Sequence, residues 1–242
     1  MPFPPYVHSV VPESDEGRWL VQAQGENECG CTTPANALNL LFPDRRISKD
    51  QLIREAGIFF QRRLGGSPSP ITGWLLKRHG AGTHFGNLSR TDKEKVLRDL
   101  IDRRVPVIIE LWENRVGPLT IYGQHSVLLL GYSEPFTDAA GVRREEYYIL
   151  DAAYAPGGRF GLETNNVDRD GDGVPEPFPG NRTFQRSDFL AAFSTGIYFP
   201  VFPSQLEHDA WYHQHLRTLP ALPVVGWLRD QLLTGSYDEW VG

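Results

Sequence analysis

The sequence predicts an α+β domain with an N-terminal helical part packed on a C-terminal antiparallel sheet. Two observations carry this. Cap signals and helical periodicity crowd the first hundred residues, whereas β-rich apolar runs dominate the next hundred. The chain has 242 residues, 40% of them hydrophobic and 22% charged, so it can close a core without disulfide or metal staples.

The elements follow in order. The first 20 residues read as an arm leading into a short strand over 18–22, then a loop over 23–28. Residues 32–41 read as a helix, with Thr32 and Thr33 as caps, Pro34 in the first turn, and Ala35, Leu38 and Leu41 on one face. Ser48-Lys49-Asp50-Gln51 is a capping-box pattern opening a helix over 49–56, which Gly57 stops. A Gly/Pro/Ser segment over 65–70 leads to a helix over 71–79, with Gly80 at its C-cap. Thr91-Asp92-Lys93-Glu94 is a second capping box, and Val96, Leu97, Leu100 and Ile101 keep helical spacing after it. The period then changes. Residues 105–111, 126–132 and 147–150 are apolar β runs, Pro106 marking a strand edge in the first. A polar, acidic loop spans 161–179. Ser187-Asp188 caps a short helix through Phe193, and 196–202 is a last strand. We divide the chain into a main domain over 1–203 and an irregular, aromatic C-terminal extension over 204–242 packed on it, carrying Trp211, Tyr212, Trp227, Tyr237 and Trp240.

Charge excludes some functions. The formal net charge is −6, and the basic residues are scattered, with only short pairs such as Arg45-Arg46 and Arg62-Arg63. No stripe is available for a phosphate backbone, so no nucleic-acid partner is expected. Met1-Pro2-Phe3-Pro4-Pro5 lacks the basic stretch and apolar run of a secretory signal, and no apolar run approaches the roughly 18–20 residues that span a bilayer. The expectation is a soluble, cytoplasmic protein with no membrane partner.

Chemistry enters with the two cysteines, Cys29 and Cys31. Their i, i+2 spacing disfavours an unstrained mutual disulfide, and two thiols alone do not make a structural zinc site. Both lie just ahead of a helix start, and a helix N-terminus is one of two devices that favour thiolate over thiol. The other is a nearby imidazolium. His125 stands at the entry of the apolar run Ser126-Val127-Leu128-Leu129-Leu130, after a turn containing Gly123, and Asp151 ends the run Tyr147-Tyr148-Ile149-Leu150. Pairing these two runs antiparallel brings the start of one and the end of the other to one sheet edge. There the carboxylate accepts from one imidazole nitrogen while the other faces the thiol. The plainer alternative for each residue is structural: a small buried Cys and a His at a strand edge.

Cys29-Gly30-Cys31-Thr32-Thr33-Pro34-Ala35-Asn36-Ala37-Leu38 resembles the Cys-Gly-Pro-Thr-Ser-x-x-x-x-Leu motif of the C39-like peptidases, a branch of the papain-like superfamily. Gly123-Gln124-His125-Ser126-Val127, through Gly131-Tyr132, is similar to that family's Gly-His-x-Val-x-x-x-Gly-Tyr strand, and Tyr148-Ile149-Leu150-Asp151 to its strand ending in the triad acid. The resemblance covers roughly residues 20–202. It departs at Cys31, where the family has proline, and at Gln124, which intrudes beside the His. The resemblance implies a cysteine peptidase or amidase working through a thioester, with Cys29 as nucleophile, His125 as base, Asp151 as orienting acid and Gln24 in the oxyanion hole. Gln22 is the alternative for the last role, and a papain-style alignment of Gln-Gly-x-Cys-Gly-x-Cys would favour Cys31 for the first. A cysteine transferase or deamidase with the same triad, and a catalytically silent peptide-binding module, are the competing readings. The partner implied is a peptide or protein substrate, with no cofactor for catalysis.

One motif stands apart. Asp168-Arg169-Asp170-Gly171-Asp172-Gly173 alternates carboxylates around a glycine bend, an oxygen cage suited to a hard cation. It lacks the closing Glu of an EF-hand, where Pro179 stands, and looks more like the short Asp-rich calcium loops of thrombospondin type 3 repeats. The expectation is a structural Ca²⁺ held by Asp168, Asp170, Asp172 and Glu176. His208, His213 and His215 are read as a surface cluster rather than a metal site.

Overall fold

The computed structural model describes residues 3–11, 20–64, 66–88, 92–111, 125–155, 166–168 and 176–215. The helices are α1 (Cys29–Leu41), α2 (Lys49–Ala56), α3 (Ser69–Arg78), α4 (Lys93–Asp102), α5 (Arg186–Ala192) and α6 (Gln205–His215). The strands are β1 (Val7–Ser9), β2 (Gly86–Asn87), β3 (Val107–Leu111), β4 (His125–Ser133), β5 (Phe136–Thr137), β6 (Arg143–Arg144), β7 (Glu146–Leu150), β8 (Asn166–Val167), β9 (Glu176–Pro177), β10 (Arg182–Gln185) and β11 (Ile197–Pro200).

The main sheet is antiparallel throughout, in the order β10-β7-β4-β3-β11-β2, with β1 pairing the far end of β4. β5–β6 and β8–β9 form small separate hairpins. Helices dominate before β3 and strands after it, so the expected α+β class holds. Nine-residue β4 is the spine, because β3 and β7 flank it and both are buried along their whole length. β1 can close on β4 only because position 131 is glycine; a Cβ there would lie 2.4 Å from the His8 carbonyl oxygen.

α1 packs against α2, α3 and β4 and is buried from Cys29 to Asn39. Pro34 inside it cannot donate to the Gly30 carbonyl one turn back. The Thr72 hydroxyl of α3 donates to that carbonyl instead, at 3.3 Å, which ties the starts of the two helices together. α2 has the predicted bounds: Ser48 Oγ accepts from Gln51 N at 3.0 Å, and Gly57, at φ 53°, ends it. Such a cap is worth about 1 kcal/mol.

Several expectations are corrected. α1 begins at Cys29, a turn earlier than predicted, so Thr32 and Thr33 lie inside the helix rather than capping it. Thr33 Oγ1 donates instead to the Ser126 carbonyl, 2.8 Å away. Residues 20–22 of the predicted 18–22 strand are irregular, because helix asparagines take up their backbone groups: Asn36 bonds Gln22 at both N–H and C=O, and Asn39 bonds the Leu20 carbonyl. Asp92 caps α4, accepting from Lys95 N, whereas Thr91 lies outside the described residues. α3 starts two residues early, at Ser69. α5 starts at Arg186 after Gln185, which makes no side-chain cap bond, so Ser187 and Asp188 fall in its first turn.

The start of the C-terminal extension is helical, not irregular. Ser204 Oγ accepts from Glu207 N, and His208, Trp211 and Tyr212, at i, i+3 and i+4, are the buried face of α6. Trp211 Nε1 donates to Asp99 Oδ2 of α4 at 2.8 Å, so this helix does pack on the domain. Residues 216–242, with the remaining aromatic residues, lie outside the described set.

Candidate active site

Cys29 is the first residue of α1, where backbone N–H groups have no intrahelical acceptor and the helix dipole favours negative charge. Burial by itself would push the Cys29 thiol up. The hydrogen bond and charge of His125, with the Ser126 N–H, outweigh it and hold the thiol below its ordinary value. Thr33 fixes this geometry, since its hydroxyl bonds the Ser126 carbonyl while the Ser126 N–H serves the sulfur. The helix start and the strand start are thus locked together on either side of one residue.

His125 opens β4, opposite Leu111 of β3. On the other flank, Leu128 pairs with Leu150, so Asp151 emerges at the same end of the sheet as His125. Asp151 Oδ1 accepts from His125 Nε2 at 2.8 Å. With Nε2 committed, Nδ1 is the ring nitrogen left for the sulfur. Burial would depress the imidazole, but Asp151 and Cys29 as hydrogen-bond partners and counter-charges raise it well above its ordinary value. A depressed thiol beside an elevated imidazole favours a thiolate–imidazolium pair over two neutral groups.

Asp151 is fully buried and fully engaged. Besides His125, its Oδ1 accepts from Ala153 N at 3.0 Å, and its Oδ2 from Arg182 Nη1 at 2.6 Å. Asn181 pins the backbone of Asp151 from both sides, its Oδ1 accepting from Asp151 N at 2.8 Å and its Nδ2 donating to Asp151 O at 2.9 Å. Burial would raise the Asp151 carboxyl; His125, Arg182 and the Ala153 N–H together lower it. The carboxylate therefore stays ionised inside the core, as a counter-ion to an imidazolium must. Neither Asn181 nor Arg182 carried a signal in the sequence, because their position beside Asp151 comes from β10 pairing with β7.

The loop before α1 is held by a buried acid. Glu28 Oε2 accepts from Gly25 N and from Lys49 Nζ, both at 2.7 Å, and Oε1 pairs with Arg62. Burial would raise this carboxyl; Lys49, the Gly25 N–H and Arg62 lower it. The loop it shapes carries Gln24, whose N–H donates to Ala152 O, next to Asp151, at 3.0 Å. The Gln24 amide oxygen is buried and has no hydrogen-bond partner among the described residues. Gln22 is different: its Oε1 accepts from Lys49 N at 2.7 Å and its Nε2 donates to Ile47 O at 2.9 Å. Gln22 is a structural clip, whereas the Gln24 amide oxygen is a buried acceptor with no donor among the described residues.

Cys31 is fully buried, and both cysteines are free thiols. Burial pushes the Cys31 thiol up to about 12, against a weak contact with Ser67 Oγ at 3.9 Å. Of the two, only Cys29 is set up to ionise. A second group that sequence reading missed is Glu110 of β3, a buried acid whose charge opposes ionisation of Cys29 and whose own carboxyl burial raises against the pull of Ser69.

The other sequence candidates lie apart. Of the Asp-rich motif, Asp168 and Glu176 are among the described residues, with Glu176 paired to Val167, and Asp170 and Asp172 lie outside them. Among the described residues no group of three or more His, Cys, Asp and Glu side chains could hold a metal. His208 is not at the surface: it is buried, with its Nε2 2.8 Å from His84 Nδ1. Among the described residues no helix is long and apolar enough to cross a membrane.

Comparison with known proteins brings no family model that matches the chain and no curated protein that matches it.

Proposed function

We propose that this chain is a papain-like cysteine hydrolase that cleaves a peptide or amide bond through a thioester on Cys29. The observation that carries the reading is a fully buried, ionised Asp151 holding His125 through Nε2 while His125 lowers the proton affinity of Cys29. A purely structural histidine has no need of a thiol it helps to ionise. The helix that begins at the cysteine, packed on an antiparallel sheet that supplies histidine and acid, agrees with the papain-like plan.

The chemistry follows from the placement. The Cys29 thiolate attacks the carbonyl carbon, and the developing oxyanion is taken up by the Cys29 N–H and the Gln24 side-chain amide. The His125 imidazolium gives its proton to the leaving nitrogen as the C–N bond breaks, leaving a thioester and a neutral ring. Water then loses a proton to His125 and attacks the thioester, which releases the acid and restores the ion pair. Two unpaired thiols, one of them the reacting group, suit a reducing compartment such as the cytoplasm. A structural Ca²⁺ on Asp168, Asp170, Asp172 and Glu176 is part of this proposal and takes no part in the chemistry.

The test is alkylation of the intact chain with iodoacetamide at pH 6, mapped by mass spectrometry. Cys29 should react while Cys31 does not. Cys29→Ala should keep the fold and lose all iodoacetamide-sensitive hydrolysis of a mixed peptide library. Label arriving first at Cys31, or hydrolysis surviving in Cys29→Ala, would sink the reading.

A further inference from the structure

Glu110 is 3% exposed, and its Oε2 is buried without a hydrogen-bond partner among the described residues. A buried carboxyl oxygen without a partner is a cost to the fold, and a group arriving from outside the fold can supply the partner. Its surroundings show where that group would come from. Glu110 pairs across the sheet with Ser126, the residue whose N–H serves the Cys29 sulfur. The Ser69 hydroxyl, at the first residue of α3, reaches its carboxyl. Thr72 ties α3 to Gly30, the neighbour of the nucleophile. The carboxyl is therefore bounded by β3, by the start of α3 and by the start of α1, and it is close enough to Cys29 to oppose ionisation of the thiol.

We propose that Glu110 selects the substrate by pairing with a cationic group, an ammonium or guanidinium, on the acyl side of the scissile bond. This rests on the hydrolase reading of Cys29. Cys29 is 9% exposed and lies within the reach of the Glu110 charge, so a substrate that brings a carbonyl to the sulfur comes under the same field. A cation there supplies the missing partner of Oε2 and cancels the negative field that works against the thiolate. A neutral side chain does neither. Burial raises the Glu110 carboxyl to about 7, so the empty site readily holds a proton that an incoming cation displaces.

The experiment uses irreversible labels, so no natural substrate is required. Peptidyl diazomethyl ketones are prepared in pairs with lysine or norleucine at the residue next to the ketone, and in a second set one residue further. The rate of mass gain on Cys29 is followed at pH 7. In the wild-type chain one set should show lysine reacting about 10- to 100-fold faster than norleucine, the range of a charge-assisted hydrogen bond. Glu110→Gln, which keeps shape and volume, should erase that ratio while norleucine and iodoacetamide react as fast as before or faster. Equal lysine and norleucine rates in both wild-type sets overturn the proposal, and so does a ratio that survives in Glu110→Gln. Should iodoacetamide fail to modify Cys29 at all, it is the hydrolase reading that falls. The wild-type comparison decides alone if the variant does not fold.

Discussion

Replacing Asp151 by asparagine separates the charge of the triad from its shape. The asparagine fills the same buried volume and leaves the Asn181 clip on the backbone of residue 151 intact, since that clip uses main-chain atoms. What disappears is the counter-ion of the imidazolium. A hydrogen bond to a charged partner contributes about 1.5–3 kcal/mol, and at 1.36 kcal/mol per unit this lowers the imidazole by about 1–2 pH units. On the proposed mechanism the imidazolium sustains the thiolate, so the ionised pair, and the rate of Cys29 alkylation at pH 6, should fall by at most about 10- to 100-fold. The sign can be checked against pH. The pair persists between a depressed thiol and an elevated imidazole, so wild type should alkylate at lower pH than an ordinary thiol does. Asp151→Asn should recover only above about pH 9, where a thiol ionises unaided. The introduced carboxamide would also set its NH₂ group against a donor, Arg182 Nη1 on one side or Ala153 N on the other, so melting should be followed in parallel. A folded Asp151→Asn chain that reacts at the wild-type rate at pH 6 would show that the carboxylate does not sustain the pair.

Two further predictions concern parts of the fold remote from the sulfur. His84 and His208 form a buried pair, with His84 Nε2 3.0 Å from Tyr198 Oη and His208 Nδ1 2.9 Å from Asp209 Oδ1. Burial lowers both rings, His84 most; each also opposes Lys77, His84 opposes His208, and His208 opposes His213 against the pull of Asp209. Because the folded values lie below the unfolded one, the unfolded chain binds more protons as pH falls through about 6.5, and stability is lost by up to about 1.4 kcal/mol per pH unit for each ring. His125, raised in the fold, adds up to about 1.4 kcal/mol between pH 7.5 and 6.5 and nothing further below, an offset shared by wild type and His208→Gln. Thermal unfolding at pH 7.5 and pH 5 should therefore show acid lability that His208→Gln reduces; an unchanged difference would refute the assignment. For the Asp-rich motif, calorimetry should detect Ca²⁺ uptake that Asp170→Asn with Asp172→Asn abolishes, and no uptake at millimolar Ca²⁺ would remove the site.

What the sequence made legible is what local patterning controls. Ser48 and Gly57 bound α2 because cap chemistry is read within four residues. The runs that became β4 and β7 could be paired on paper because an antiparallel ladder forces the start of one beside the end of the other. The misplaced boundaries share a cause: tertiary partners replaced local ones. Thr32 and Thr33 look like caps only while the Ser126 carbonyl is out of view, and residues 20–22 look like a strand only while Asn36 and Asn39 are unassigned. α6 was unreadable because its buried face is built from histidine and aromatic residues that a periodicity count does not score as core.

The candidate site divides along the same line. Cys29, His125 and Asp151 each stand at the end of an element, and element ends can be found from sequence. Arg182, Asn181, Glu28 and Glu110 act through partners 30 or more residues away for the first two, and through β3, α2 and the Arg62 turn for the others, so no spacing announces them. They also divide among themselves by how completely they are satisfied. Glu28 has two cations and a backbone N–H, and Asp151 an imidazolium, a guanidinium and a backbone N–H; both are ionised, and both hold other groups still. Glu110 has a hydroxyl alone. Two of these three buried acids are satisfied within the fold. A third left short of a cation is a cost the same chain has shown it can remove, since Lys49 and Arg62 are brought to Glu28 from separate elements. The incomplete shell of Glu110 therefore points away from the fold and toward what the site receives.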